Sequence, residues 1–201
     1  VRSIGLTDVE AVLDLNCEEA IPDGLDGQWW VAHTKARNEK ALARDLGRMH
    51  IPSYVPLRRK VTRSRRTGRN THSSVPVFTG YIFFNATEQQ RYQALTTNRV
   101  ASTLYVPDQQ SLVEQLRGIH QVLLSEAAFE VFTGVRVGQW VRVVAGALIG
   151  VEGRVVRKLG RTRLCVSVDI LGQSVLVDVD GELLEPIDPP TPATRPPAWQ
   201  E

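Results

Sequence analysis

Arg58, Arg59, Lys60, Arg63, Arg65, Arg66 and Arg69 fall close together in a stretch, Val55 to Tyr81, that contains no acid. Side chains of this type at this density neutralise phosphates and give salt-dependent affinity for a polyanion, and without base-reading groups they position more than they specify. Other chemistry is hard to build from this chain. His33, His50, His72 and His120 share no spacing that would suit a metal or a general base. Ser73, Ser74 and Cys165 have no neighbouring base to activate them. A Gly-rich phosphate loop is absent. The expectation is therefore binding without catalysis, and with no metal or cofactor.

The charge distribution agrees. The 201 residues carry a net charge of +2, which divides into −6 over residues 1–27, +10 over 28–125 and −2 over 126–201. The middle block is the part a polyanion would attract. Two cysteines, Cys17 and Cys165, make neither a metal site nor a disulfide framework and fit a reducing cytosol. No apolar run reaches the ~18 residues of a membrane span, and the first residues are acidic rather than basic, so neither membrane insertion nor export is indicated and a cytoplasmic protein is expected; it is read as a monomer. The chain starts at Val1 without Met, which leaves room for an upstream part.

The elements that must position these cations follow from periodicity. Residues 1–27 read as an acidic extension with a short amphipathic helix through Val9, Val12, Leu13 and Leu15. Trp29 to Thr34 reads as a first strand. Ala36 to His50 carries Ala41, Leu42, Leu46 and Met49 on one side as an amphipathic helix, stopped by Ile51-Pro52. Ser53 to Val61 runs as a second strand into the basic arm, which turns at Thr67-Gly68-Arg69-Asn70 and returns as Val75 to Phe84, branched and aromatic enough to be buried on both faces. Thr87 caps a helix through Leu95, Val100 to Val106 is another strand, and Asp108 caps a helix with Leu112, Leu116, Ile119 and Leu123 on one stripe. Strand, helix, strand, strand, helix, strand, helix is the order of a ferredoxin-like α/β sandwich, with its first and third strands central.

Residues 126–134 show no period and read as a linker. Beyond them the pattern changes to short strands, Trp140–Val144, Val151–Leu159, Thr162–Asp169 and Ser174–Asp178, punctuated by glycines and suggestive of a small closed all-β barrel. The fold class is thus α+β, with an all-β second domain over 135–187. A Pro-rich tail, 188–201, is expected to be extended or disordered.

Val135 to Val156, with Gly146, Gly150 and Gly153 at turn and strand positions, resembles the KOW motif. The run Trp29-Trp-Val-Ala-His-Thr-Lys-Ala-Arg-Asn-Glu-Lys, then Tyr54-Val-Pro-Leu, then Val75-Pro-Val-Phe-Thr-Gly-Tyr-Ile-Phe-Phe resembles the N-terminal (NGN) domain of NusG-type transcription elongation factors. Lys35 to Lys40 and Lys158 to Leu164 look closest to the specialised UpxY and RfaH antiterminators. The resemblance implies an NGN domain over 28–125, an SH3-like KOW barrel, and a non-enzymatic factor that binds RNA polymerase, suppresses pausing or termination and serves particular operons. A ribosome-associated or RNA-binding KOW protein is the alternative.

Carried over position by position, the resemblance implies that Trp30, His33, Phe78, Tyr81 and Phe83 contact the polymerase clamp helices. Thr79 stands where the family usually has Pro, and Trp30 where it often has Tyr. Arg91, Tyr92 and Gln93 fall at a polymerase gate-loop contact, and the basic arm beside upstream or non-template DNA. Leu148, Val151, Ile170, Leu171 and Gln173 match positions through which relatives bind ribosomal protein S10 or Rho; Leu171 replaces an aromatic and Gln173 a basic residue, which would weaken that interface.

Overall fold

The computed structural model describes residues 21, 25–63, 65–66, 68–133, 138–158 and 161–190, so the helix expected through Val9 to Leu15 and most of the expected Pro-rich tail lie outside the described residues. The chain forms two compact units that divide between Tyr105 and Val106.

In the first unit β1 (Gln28–Thr34) leads through α1 (Glu39–Arg48) to β2 (Ser53–Tyr54), a ribbon of β3 (Leu57–Arg63) and β4 (Asn70–Pro76), then β5 (Tyr81–Ala86), α2 (Glu88–Thr96) and β6 (Val100–Tyr105). The main sheet runs β2-β5-β1-β6 with every pair antiparallel. Its two central strands are the first helix-linked strand and the aromatic one, and this is the expected sandwich order. Alternation divides the side chains between two faces. Trp30, Ala32, Ile82, Phe84 and Ala86 point into the core formed with Leu42, Ala43 and Leu46 of α1 and Ala94 of α2. Their neighbours Trp29, Val31 and Phe83 lie on the other face and are buried too, so β1 and β5 are covered on both sides.

The run Val75–Phe84 is not one strand. It breaks between Pro76 and Tyr81, where Gly80 takes φ +85°, a conformation that side chains with a Cβ resist. β2 and β3 are likewise interrupted at Val55-Pro56, so the ribbon is a separate two-stranded sheet. α2 starts on a capping box between Thr87 and Gln90.

The second unit begins with α3 (Gln109–Leu124), where the Asp108 carboxylate accepts from the Ser111 amide at 3.0 Å. Then come β7 (Phe129–Thr133), β8 (Trp140–Val143), β9 (Glu152–Lys158), β10 (Arg161–Val168), β11 (Gln173–Asp178) and β12 (Leu184–Pro186). They form one sheet in the order β12-β8-β9-β10-β11-β7. Among the described residues no pairing joins β12 to β7, so the ladder stays open where a closed barrel was expected. The aperiodic stretch expected as a linker contains β7, because Phe129 to Thr133 pairs with Val177 to Gln173, and Arg163 of β10 reaches Glu130 at 3.0 Å.

The glycines of the β8–β9 turn act as their spacing suggested. Gly146 and Gly150 have φ near +84° and +83°, and a Cβ on Gly153 would stand 2.5 Å from the Cys165 carbonyl oxygen. The last helix, read from sequence with the first domain, packs on β10 instead. A Cβ on Gly118 would meet Val166 at 3.2 Å; that close approach turns Val122 inward beside Leu112, Leu116 and Ile119, while Leu123 is half-exposed.

Candidate nucleic-acid interface and aromatic face

The ribbon starts from the sequence pattern that its fold requires. Between Leu57, which is buried, and the tip, every residue of β3 is exposed, so these positions need no apolar side chain. The register Leu57↔Pro76 through Arg63↔Asn70 sets Arg58 opposite Val75, Arg59 opposite Ser74 and Lys60 opposite Ser73. With a period of two, Arg58 and Lys60 lie on one face and Arg59 and Arg63 on the other. Arg65, Arg66 and Arg69 surround the tip. All seven cations are exposed, and none is in an ion pair among the described residues; Arg63 donates to the Gly68 carbonyl at 3.3 Å. His72, opposite Val61, adds a polar ring between Arg59 and Arg63. The ribbon can thus present positive charge to phosphates on both of its sides.

Its base is fixed to the sandwich. The Val77 amide donates to the Pro56 carbonyl at 2.8 Å, Lys40 of α1 reaches the Ser74 carbonyl, and the buried Glu39 carboxylate accepts from the Gly80 amide at 2.7 Å.

The five aromatic positions do not form one surface. Trp30 is 7% exposed and faces the helices; its indole donates to the Ala86 carbonyl at 3.3 Å. Phe78 and Phe83 are 0% exposed and pack edge to face with centroids 6.4 Å apart. None of these three rings is open to solvent in this structure, whereas the remaining two candidates are. Buried aromatics of this size usually fill a core. His33 and Tyr81 differ: they pair across β1 and β5, their rings lie 5.1 Å apart, and His33 is exposed while Tyr81 is half-buried. They share the sheet face of Phe83, and Gly80 leaves the space beside the His33 ring open, since a Cβ there would meet it at 3.5 Å.

Arg91, Tyr92 and Gln93 sit on α2. The Arg91 guanidinium is held rather than free. It lies 4.9 Å from the Trp30 ring centroid and 4.7 Å from that of Tyr92, pairs with Glu88 at 2.9 Å and donates to Thr103 at 3.3 Å. Tyr92 is 61% exposed and Gln93 is exposed. The exposed Tyr105, overlooked in the sequence, stands against Trp30 at 5.9 Å and opposite it in the strand register; an aromatic within the Val100 to Val106 strand was the signal available.

In the second unit Leu148 and Val151 are buried, whereas Ile170, Leu171 and Gln173 are half-buried around the 3-10 turn Asp169–Leu171. Ile149, 57% exposed, and Val144 are the open apolar side chains of the β8–β9 turn, which sequence alternation passed over. Among the described residues no cluster of three or more His, Cys, Asp or Glu could hold a metal, and no helix is long and apolar enough to cross a membrane.

The family model described as "Transcription termination factor nusG" matches residues 27–131, slightly more than half of the chain. This chain belongs to the NusG family. The match takes in the whole ferredoxin-like sheet, the ribbon, α3 and most of β7. By that description the family is one of transcription factors. No curated protein matches the sequence. Among solved structures, a chain of the "Crystal Structure of MjSpt4:Spt5 complex conformation B" is 14% identical, with 80% of this chain and 97% of that chain covered and a TM-score of 0.27, too low to carry an argument.

Proposed function

We propose that this NusG-family chain is an elongation and antitermination factor that rides on RNA polymerase. It docks through the His33–Tyr81 pair on the clamp helices and lays the β3–β4 ribbon along upstream or non-template DNA. The observation that carries this reading is the ribbon: seven exposed cations without acidic partners among the described residues, anchored through Glu39 and Lys40 to the unit that bears the His33–Tyr81 pair. Phosphate contacts of this kind hold a protein in register on nucleic acid and leave sequence choice to other groups. Bound at both places, the factor favours the elongating state of the polymerase in proportion to its preference for that state. Phe78 and Phe83 support the docking pair from beneath.

The operon-specific role of UpxY- and RfaH-like paralogues belongs to the same proposal. So do a gate-loop contact through Tyr92 and Gln93, a KOW identity for the second unit, and contacts of its Ile170, Leu171 and Gln173 with S10 or Rho. Polymerase retention on the immobilised protein tests the docking site. Retention that falls with His33→Ala and Tyr81→Asp supports it. Unchanged polymerase retention, or capture of ribosomal RNA that ignores both changes, favours a ribosome-associated or RNA-binding role.

A further inference from the structure

The two strands of the ribbon are chemically unlike. Arg58, Arg59, Lys60 and Arg63 all lie on β3, whereas β4, Asn70 to Pro76, carries no Lys, Arg, Asp or Glu. In their place β4 has a run of short hydrogen-bonding side chains, Asn70-Thr-His-Ser-Ser74. Such groups add nothing to the attraction for phosphates.

Asn70 and His72 share one face of β4, about 6.8 Å apart at ~3.4 Å per residue. That step equals about two base pairs of B-form DNA at ~3.4 Å each. Both are exposed, and neither side chain has a hydrogen-bond partner among the described residues. Ser73, on the opposite face, instead donates to the Lys60 carbonyl at 3.4 Å. His72 stands across from Val61, which is 56% exposed, so the same face also offers an apolar contact.

These are side-chain types that read base edges. A carboxamide matches the N6–N7 edge of adenine with two hydrogen bonds, an apolar side chain packs on the thymine methyl, and a neutral imidazole brings one donor and one acceptor. The ribbon also has the right dimensions. It is a sheet of two strands, unpaired with the main sheet, and strands about 4.8 Å apart enter a B-DNA major groove about 12 Å wide. The major groove of A-form RNA is too narrow for this.

We infer that β4 is the base-reading strand of the ribbon. With β3 against the phosphates of duplex DNA, Asn70 and His72 meet base edges in the major groove, Asn70 on an adenine and Val61 on a thymine methyl. This rests on the ribbon lying on DNA and adds a sequence preference to it.

The test selects duplexes from a pool with a randomised core, using the full chain, and compares the selected duplex with a scrambled one by fluorescence anisotropy over a salt series. The selected duplex should bind about tenfold more tightly. Asn70→Ala should remove most of that preference, and so should 7-deazaadenine, which lacks the N7 acceptor, at the preferred adenine. His72→Ala should relax the preference about two base pairs away. None of these changes should alter affinity for scrambled DNA or its salt slope, whereas Arg58→Ala with Lys60→Ala should weaken both duplexes alike. Salt-dependent duplex binding with no sequence selected, or a preference indifferent to Asn70→Ala and His72→Ala, overturns the inference and leaves the ribbon on DNA. Duplex binding that is absent, or unaffected by loss of the β3 cations, overturns the underlying reading as well.

Discussion

The Glu39 carboxylate, 4% exposed, accepts the Gly80 amide proton at 2.7 Å across 41 residues of sequence. This bond fixes the loop from which the ribbon re-enters the sheet, so it links the placement of the cations to the first turn of α1. Glu39→Ala leaves a part-buried amide unpaired and should cost about 1–3 kcal/mol. Glu39→Gln retains an acceptor and should cost less. Urea denaturation of the two variants beside the parent checks the order.

The aromatic candidates separate by stability. Phe83→Ala removes a fully buried ring and should destabilise by about 3–5 kcal/mol. His33→Ala changes an exposed side chain and should stay within about 0.5 kcal/mol of the parent. Thermal unfolding of both tests whether His33 is a surface group, and equal destabilisation would contradict the assignment.

Much of this arrangement is legible in the sequence, for identifiable reasons. Thr87 and Asp108 cap helices through contacts three residues away, and the ribbon's cations are neighbours in sequence; such signals are local. What escapes is non-local. The break at Gly80 depends on Glu39, β7 exists because Val175 and its neighbours supply a ladder partner, and Val122 displaces Leu123 because Gly118 lets the helix approach Val166. Family likeness groups Trp30 with His33 and Tyr81, although odd and even positions of β1 face opposite ways. The strand period already contains that separation.

Burial raises the Tyr54 hydroxyl well above the ordinary tyrosine range. The folded state therefore holds this proton after the unfolded chain has begun to lose it. The stabilisation is complete below the unfolded value of about 10 and is lost as pH rises through the folded value. Stability should fall with pH above about 10, and Tyr54→Phe should flatten that fall. Chemical denaturation between pH 8 and 11.5, a range chosen to bracket about 10, gives the slope directly.

Affinity for DNA should depend steeply on salt through the ribbon. Each phosphate deprived of its cation lowers the slope of log K against log salt by about 0.9 on duplex DNA. Arg58→Ala with Lys60→Ala strips one face, and Arg59→Ala with Arg63→Ala the other. If phosphates lie on both sides, each pair should lower the slope by about 2 with no change in folding; an effect confined to one pair would place DNA on one face.

Single-round transcription by purified RNA polymerase on a pause-containing template tests the central claim most directly. The account predicts shorter pauses with the parent chain. It also predicts loss of that effect with Tyr81→Asp, and a weaker effect, less sensitive to salt, when ribbon cations are removed. Pause lifetimes unaffected by the parent chain, or shortened equally by the parent and Tyr81→Asp, would contradict it.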